Sequence, residues 1–508
     1  MGSSIILWYK EKCRKQWKTA FIATFIIGLL THAYKFLNFL PNHDSFLNIY
    51  HSQNILASGR WFLSIACGLS SFYDLPWITG LFTLFFAATA MVIITEFFKI
   101  DNPILIIICS ALLVTYPAIT NTLYYSYTAD GYMLAMALAA LSAFLMRFEQ
   151  KNKLLLLTAA LSLCLTCGIY QAYVSFALVL ILCGFIKDLI ENNRTVKEYF
   201  SFIFSRIGLI ATGLAAYYII WQLCMFFQDT TATDYQGISE IGNNIDFIRI
   251  LKLPASLVFS YISVMLETVN GKLTAAGIFN LIFLICFGIT TILIFIKSKI
   301  YQNIVRTVLF LFSFALIPTA TYIWLFTTEH VGYHILMLQS IAIVYIFAAI
   351  LFEKLSFKKV RAFCALLLVI ISLNYAVLAN TGYHLLQRSY EASYAQTMQM
   401  AIRIDEKAEQ EDFDTIAIIN TLPNETYNSA IPGNGTPYIN SQFAKITASS
   451  HRNIYEFLRY YFNVNLISAD KDLQNEIQKS EEFKSMDVWP AKDSVKVIDN
   501  VIVLKLGE

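Results

Sequence analysis

Apolar residues in this chain are bunched into runs of about twenty, the length at which a helix spans the hydrocarbon core of a bilayer. Runs of that length leave little room for any architecture other than a polytopic α-helical membrane protein. Composition agrees: 57% of residues are apolar and 14% charged, against roughly one quarter charged in soluble domains. About eleven spans are expected, at Thr19–Leu40, Leu75–Phe98, Pro103–Ile119, Gly131–Phe148, Leu154–Gly168, Ala172–Ile186, Gly208–Phe227, Gly277–Lys297, Thr307–Phe326, His334–Phe352 and Ala362–Asn380. Trp61–Tyr73 adds a short interfacial or re-entrant piece. The first span follows the basic flank "YKEKCRKQWK", exceeds a secretory apolar region in length and lacks a small-residue cleavage site, so it reads as retained.

Lys and Arg set the orientation. With the N-terminus inside, the inner segments include "FKIDN", "RFEQKNK", "KDLIENNRTVKEYFSFIFSR", "KSKIYQNIVR" and "EKLSFKKVR"; they carry about twenty Lys and Arg, against about five opposite. Everything after Asn380 is then exoplasmic, as are Asp44 and Arg60. Residues 1–380 form a membrane domain and 381–508 a small exoplasmic α/β domain. In that tail Leu386, Tyr390, Tyr394, Met398 and Ile402 step in fours, which predicts a helix continuing from the last span with one apolar face. "DTIAIIN" reads as a buried strand, "NETYNSAIPGNGTPYIN" as a loop, and "NIYEFLRYYFN" and "DKDLQNEIQKSEEF" as helices. "SVKVIDNVIVLKL" reads as a hairpin turning at Asp499-Asn500. The tail has no cysteine, so its own core must hold it. Cys164 and Cys167 have redox-pair spacing but lie inside an apolar helix, where packing explains them.

Polar residues cluster on the exoplasmic side. "FLPNHDSFLNIYHSQNILASGRWF" brings His43, Asp44, His51 and Arg60 into one connection. Asp44 reads equally as a helix N-cap and as a general base, with the amphipathic Phe46, Ile49, Tyr50 and Leu56 placing it at headgroup depth. Arg60 beside Trp61 is either a headgroup anchor or a bidentate phosphate clamp, and the clamp is the preferred reading. Asp130 precedes a span and follows Tyr124, Tyr125 and Tyr127, which offer faces for sugar stacking. Tyr170 and Gln171 form a polar interruption at a further junction, and the apolar segment "NIDFIRILKLPASLVFSYISVML" could lie along the membrane. His330 and His334, four apart, would share a helical face; contact with a phosphate or headgroup is preferred to metal ligation. No phosphate-binding loop or dinucleotide fingerprint is present. Asn193, Asn424 and Asn434 match glycosylation patterns without bearing on catalysis.

The placement of Asp44 and Asp130 resembles the GT-C superfamily of lipid-linked glycosyltransferases. The segments "ASGRWF", "TADGYMLAMALAALSAFLM", "CGIYQAYVSFAL" and "VWPAKDSVKVIDNVIVLKL" are similar, in that order, to the type II Gtr glucosyltransferases that modify bacterial surface polysaccharides. The resemblance implies a bacterial plasma-membrane enzyme taking glucose from a polyprenyl phosphate-linked donor to a hydroxyl of a polysaccharide or glycolipid acceptor. Asp44 would be its catalytic carboxylate and Asp130 its second acidic position, with Arg60 beside the donor phosphate. The family often places an Arg where this chain has His334. Membrane lipids are the expected surroundings; no cofactor and no nucleic acid are expected, and a divalent cation is not indicated. The alternatives are a flippase or transporter for a lipid-linked glycan, and a GT-C enzyme using another lipid-linked sugar.

Overall fold

The structure, a computed structural model, describes residues 14–147, 149–234, 237, 247–269, 272–327, 332–408, 413–422 and 451–507. It divides into two units: Met1–Leu37 with Ser52–Asn380, and Asn38–His51 with Thr381–Glu508. The start of the basic N-terminal flank, the loop "NETYNSAIPGNGTPYIN", Asn424, Asn434 and His330 lie outside the described residues.

The first unit is helical. Its order is α1 (Lys15–Leu37), the short α2 (Leu63–Cys67), α3 (Pro76–Phe98), α4 (Pro103–Thr115), α5 (Pro117–Leu123), α6 (Ser126–Leu145) and α7 (Lys153–Ile169). Then come α8 (Val174–Glu191), α9 (Val196–Phe227), α10 (Phe247–Met265), α11 (Ala275–Lys297), α12 (Ile304–Thr321), α13 (Ser340–Glu353) and α14 (Lys358–Ala408). Their starts follow local chemistry. Proline opens α3, α4 and α5, where the missing N–H would be unpaired in any case. Asn102, Asn152, Thr274 and Asn303 cap α4, α7, α11 and α12 through side-chain oxygens.

Among the described residues, eight helices are long and apolar enough to cross a membrane, or nine if α4 and α5, bent by 45° at Tyr116-Pro117, count as one. The other two predicted spans coincide with α7 and α13, of 17 and 14 residues, short of the ~20 that a bilayer asks for. Several predicted boundaries move. The basic stretch before Gly208 is not all loop, because a Thr195–Glu198 capping box starts α9 at Val196. The span expected from His334 begins at Ser340, and the one expected to Phe326 ends at Thr321 in a 3₁₀ turn. The Gln228–Ala275 connection contains α10, which packs on α12 and donates from Arg249 to the Leu325 carbonyl at 2.8 Å. Cys164 and Cys167 are fully buried, unpaired thiols in α7, consistent with packing.

A buried polar network joins α11, α13 and α14 to the segment after α10. Glu267, 2% exposed and with φ +49°, accepts from Asn280 Nδ2 at 2.6 Å. The Tyr345 hydroxyl donates to Asn280 Oδ1 at 3.0 Å and lies 3.0 Å from that of Tyr375. Burial pushes the Glu267 carboxyl up to about 7, against the opposing pull of Asn280 and Tyr375. The folded chain thus holds this proton more tightly than the unfolded one. The contribution to stability is complete below pH about 4.5 and is lost as pH rises through about 7, a difference of ~3 kcal/mol. Unfolding midpoints of purified protein from pH 5 to 8 are expected to fall with this slope, and Glu267→Gln to flatten it.

The second unit is a small α/β layer structure. Beyond the two-stranded antiparallel ladder of the first unit, β1 (Thr268–Val269) with β2 (Lys272–Leu273), the strands β3 (Thr415–Ile419), β4 (Ile467–Ser468), β5 (Val495–Ile498) and β6 (Val501–Lys505) form one sheet in the order β4-β3-β6-β5. β3 runs parallel to β4 and β6, while β5–β6 is the predicted hairpin, with Asp499 and Asn500 both at positive φ. Strand alternation covers both faces. Ile416, Ile418, Ile502 and Leu504 pack with Met400 and Ile404 of α14 and Ile454 and Leu458 of α15 (His451–Phe462). Ala417, Ile419 and Val503 pack with Ile477 of α16 (Lys471–Lys479) and Phe483 of α17 (Glu481–Lys484).

Two expectations for this unit change. α14 does continue past Asn380, as one helix of 51 residues. Yet Tyr394, Met398 and Ile402 are exposed, whereas Ser393, Thr397, Met400 and Ile404 are buried. Steps of four overshoot a helical turn by about 40° each, so the stripe drifts off the packed face. Residues 45–58 do not form a continuous amphipathic helix either; they make 3₁₀ turns at Ser45–Asn48 and Leu56–Ser58. Phe46 is 1% exposed and stacks on Phe457 at 4.3 Å, because an aromatic pocket on α15 offers it more contact than an interface would.

Candidate functional site

In the first unit, three motifs that are far apart in sequence interlock. Gly59 of "SGRWF" has φ +80°, and a Cβ there would collide with the Tyr217 hydroxyl and the Gln171 amide. That amide donates to the Ser58 carbonyl at 2.8 Å and to Tyr217 Oη at 2.9 Å, while Trp221 Nε1 donates to the Leu56 carbonyl at 2.9 Å. The Phe62 N–H donates to the Gly168 carbonyl at 2.7 Å, and a Cβ on Gly168 would stand 2.7 Å from the Trp61 ring. Gly131 of "TADGY" meets Cys67 of α2 in the same way, at 2.8 Å. The expected re-entrant piece at Trp61–Tyr73 is thus a short helix seated on α6 and α7.

This frame orients Arg60. Its guanidinium lies over the Tyr170 ring at 4.5 Å, and Nη1 donates to the Tyr132 hydroxyl at 3.0 Å. Tyr132 and Tyr170 stack on each other at 4.6 Å, 16° from parallel. Stacking holds one face of the planar fork and leaves its edge as the hydrogen-bonding direction, the geometry that suits a phosphate or carboxylate. Tyr170 and Gln171 therefore join Arg60, the first through its ring and the second through the backbone of the Arg60 loop.

Asp130 lies elsewhere in this frame. It is the fifth residue of α6 and is fully buried. The Ser70 hydroxyl donates to one oxygen and the Gly131 N–H to the other, the latter at 2.8 Å. Two neighbours that sequence reasoning passed over complete the cluster. Asp74, 8% exposed, accepts from Ser126 Oγ at 3.1 Å, and Lys35, 1% exposed near the end of α1, opposes it with its charge. Burial pushes the Asp74 carboxyl up, while Lys35 and Ser126 pull it back. The available signal was a single lysine inside an otherwise uncharged first span.

In the second unit, Asp44 precedes the Ser45–Asn48 turn but makes no side-chain cap. Asn42 and Ser45 bond to each other instead, and the Asp44 carboxylate is 44% exposed and 3.3 Å from His43 Nε2. The His43 carbonyl accepts from Asn453 of α15, anchoring this segment to the unit's core. His51 is exposed on the same segment. The remaining expected residues lie in the first unit: Tyr124 is buried, Tyr125 packs edge-on to Tyr127, and His334 sits in irregular backbone before a 3₁₀ turn. His334 therefore offers no helical face to share with His330. Among the described residues, no cluster of three or more His, Cys, Asp or Glu is arranged to hold a metal.

A glucosyl transferase family model, GtrII, matches residues 33–347, well over half of the chain. The chain belongs to the GtrII family. The GtrII match takes in all three interlocking motifs and the Asp44 segment, and it stops before α14. The closing segment "VWPAKDSVKVIDNVIVLKL", one of the resemblances seen in the sequence, therefore lies outside the GtrII region. No curated protein and no solved structure matches the chain.

Proposed function

We propose that this glucosyltransferase takes glucose from a polyprenyl phosphate-linked donor and delivers it to a hydroxyl of a surface polysaccharide or glycolipid at the exoplasmic face. The observation that carries the reading is Arg60, a guanidinium held over the Tyr170 ring and donating to the Tyr132 hydroxyl, in the connection that follows the first apolar helix. A sugar phosphate lipid presents an anion at that depth, and a preoriented cation in a partly dry site stabilises the charge that grows on it. In the proposed step the acceptor oxygen attacks the anomeric carbon as the bond to the phosphate oxygen breaks. The phosphate leaves with the bonding electrons, the acceptor proton passes to the Asp44 carboxylate, and the configuration inverts. His43 holds that carboxylate in place. Asp130, buried and hydrogen-bonded to Ser70, acts as a positioning residue for the segment behind Arg60.

The transporter alternative is weaker, because coupled transporters place ionisable groups near mid-membrane. Here Lys35 lies in the last turn of α1 and Asp130 in the second turn of α6, at helix ends. Purified protein in lipid vesicles, supplied with polyprenyl phosphate-glucose and surface glycans, is expected to form a glucosylated glycan and release polyprenyl phosphate. Movement of labelled glycolipid across the vesicle without consumption of the sugar phosphate would support the transporter instead.

A further inference from the structure

In open α/β sheets, ligands bind beyond the carboxyl ends of parallel strands, where the chain leaves the sheet and its side chains converge. β3, parallel to its neighbours on both sides, ends at Ile419 in the second unit. A cleft of about 270 Å³ opens there, lined by Ile419, Asn420, Thr421, His451, Gln474, Asn475 and Gln478. Its chemistry is selective. Among the described residues no carboxylate, ammonium or guanidinium lines it, which disfavours phosphates and sugar acids, and one aliphatic side chain is too little for a lipid tail.

The cleft is organised around amides. Asn420, at φ +64°, donates through Nδ2 to the Gly507 carbonyl at 2.8 Å and accepts from Gln478 Nε2 at 3.1 Å. Gln474 donates to the Ala469 carbonyl at 2.8 Å. These bonds fix three amides and use only part of their capacity, so carbonyl oxygens and N–H groups are left to serve a ligand. His451 Nε2 is buried with no hydrogen-bond partner among the described residues, an arrangement that ordinarily costs free energy unless a ligand or water completes it. A surface whose described residues offer both donors and acceptors, with no carboxylate, ammonium or guanidinium among them, matches a neutral, hydroxyl-rich ring. The volume is just below the ~300 Å³ lower bound of sites for drug-sized ligands, which suits a single sugar residue.

We infer that this cleft binds one neutral sugar residue of the acceptor glycan. The inference rests on the proposed function for the identity of the glycan. It makes the second unit a recognition module: Gln474, Asn475 and Gln478 read hydroxyls, and His451 completes its hydrogen bonding when the site is filled.

Saturation-transfer NMR on the full-length protein, with glucose, galactose, rhamnose and N-acetylglucosamine as probes, is the direct test. At least one probe is expected to bind, and the Gln474→Ala/Gln478→Ala double variant to weaken that binding by about tenfold or more. Gln478 is exposed and Gln474 half-buried, so an unfolding midpoint close to wild type checks that the fold is kept. In transfer assays the double variant is expected to raise the KM for acceptor at least fivefold, with the KM for donor unmoved. Equal binding of the probes to wild type and variant, or no binding to either, overturns the cleft assignment even if glucosyl transfer proceeds. Loss of probe binding in the variant, in a protein that transfers no glucose from lipid, upholds the cleft and overturns the proposed function.

Discussion

Lys35→Met is expected to destabilise the first unit by ~3–5 kcal/mol, the usual result of removing one partner from a buried pair. Lys35 is the cation opposing Asp74, and Asp130 adds a second buried carboxylate nearby. Without the ammonium, Asp74, 8% exposed, keeps the Ser126 hydroxyl as its one side-chain hydrogen bond among the described residues. The double variant Lys35→Met/Asp74→Asn removes both charges and is expected to recover most of the loss, since neutral replacements of buried pairs are often close to isoenergetic. Denaturant unfolding of the solubilised protein, read as a double-mutant cycle, measures the coupling. If both single variants and the double variant unfold within about 1 kcal/mol of wild type, the pair has no structural weight. Because Ser70 and Ser126 tie this cluster to α2 and α6, the single variant is also expected to reduce activity through the Arg60 frame.

Asp44→Asn is expected to lower glucosyl transfer by about 10²–10⁴-fold, the usual share of a general base. Its effect on stability is expected to stay within about 0.5 kcal/mol, because the side chain is 44% exposed and caps no helix. Donor affinity should be retained, since the proposed phosphate contact belongs to Arg60. The two variants therefore separate cleanly, one through folding and the other through turnover. Undiminished transfer by folded Asp44→Asn would remove Asp44 as the base.

Much of this architecture was legible because burial within one element leaves a local trace. Apolar runs located the helices from Lys15 to Asn380, and turn chemistry located the β5–β6 hairpin. The residues around Arg60 stood out as polar and aromatic interruptions between apolar runs, whereas the close approach at Gly59, Gly131 and Gly168, which leaves no room for a Cβ, belongs to the fold.

Partnership left no such trace. Asp44 read equally as a cap and as a base, but its side chain makes no cap while Ser45 bonds to Asn42, and Phe46 looked interfacial until Phe457 was seen to stack on it. Asp130 was expected just before a span, but α6 begins at Ser126 and carries it as a buried residue. The sequence by itself determined the class of protein, the element order and the residue types available for phosphate and sugar chemistry, because these follow from hydrophobic period and local backbone preference. Only the tertiary structure decided that Asn38–His51 belongs with the tail's unit, that Lys35 opposes the charge of Asp74, and that the β3 edge gathers amides from two segments and a histidine from a third. Each of those depends on contacts between residues far apart in sequence, and no local pattern encodes which distant surface will supply the partner.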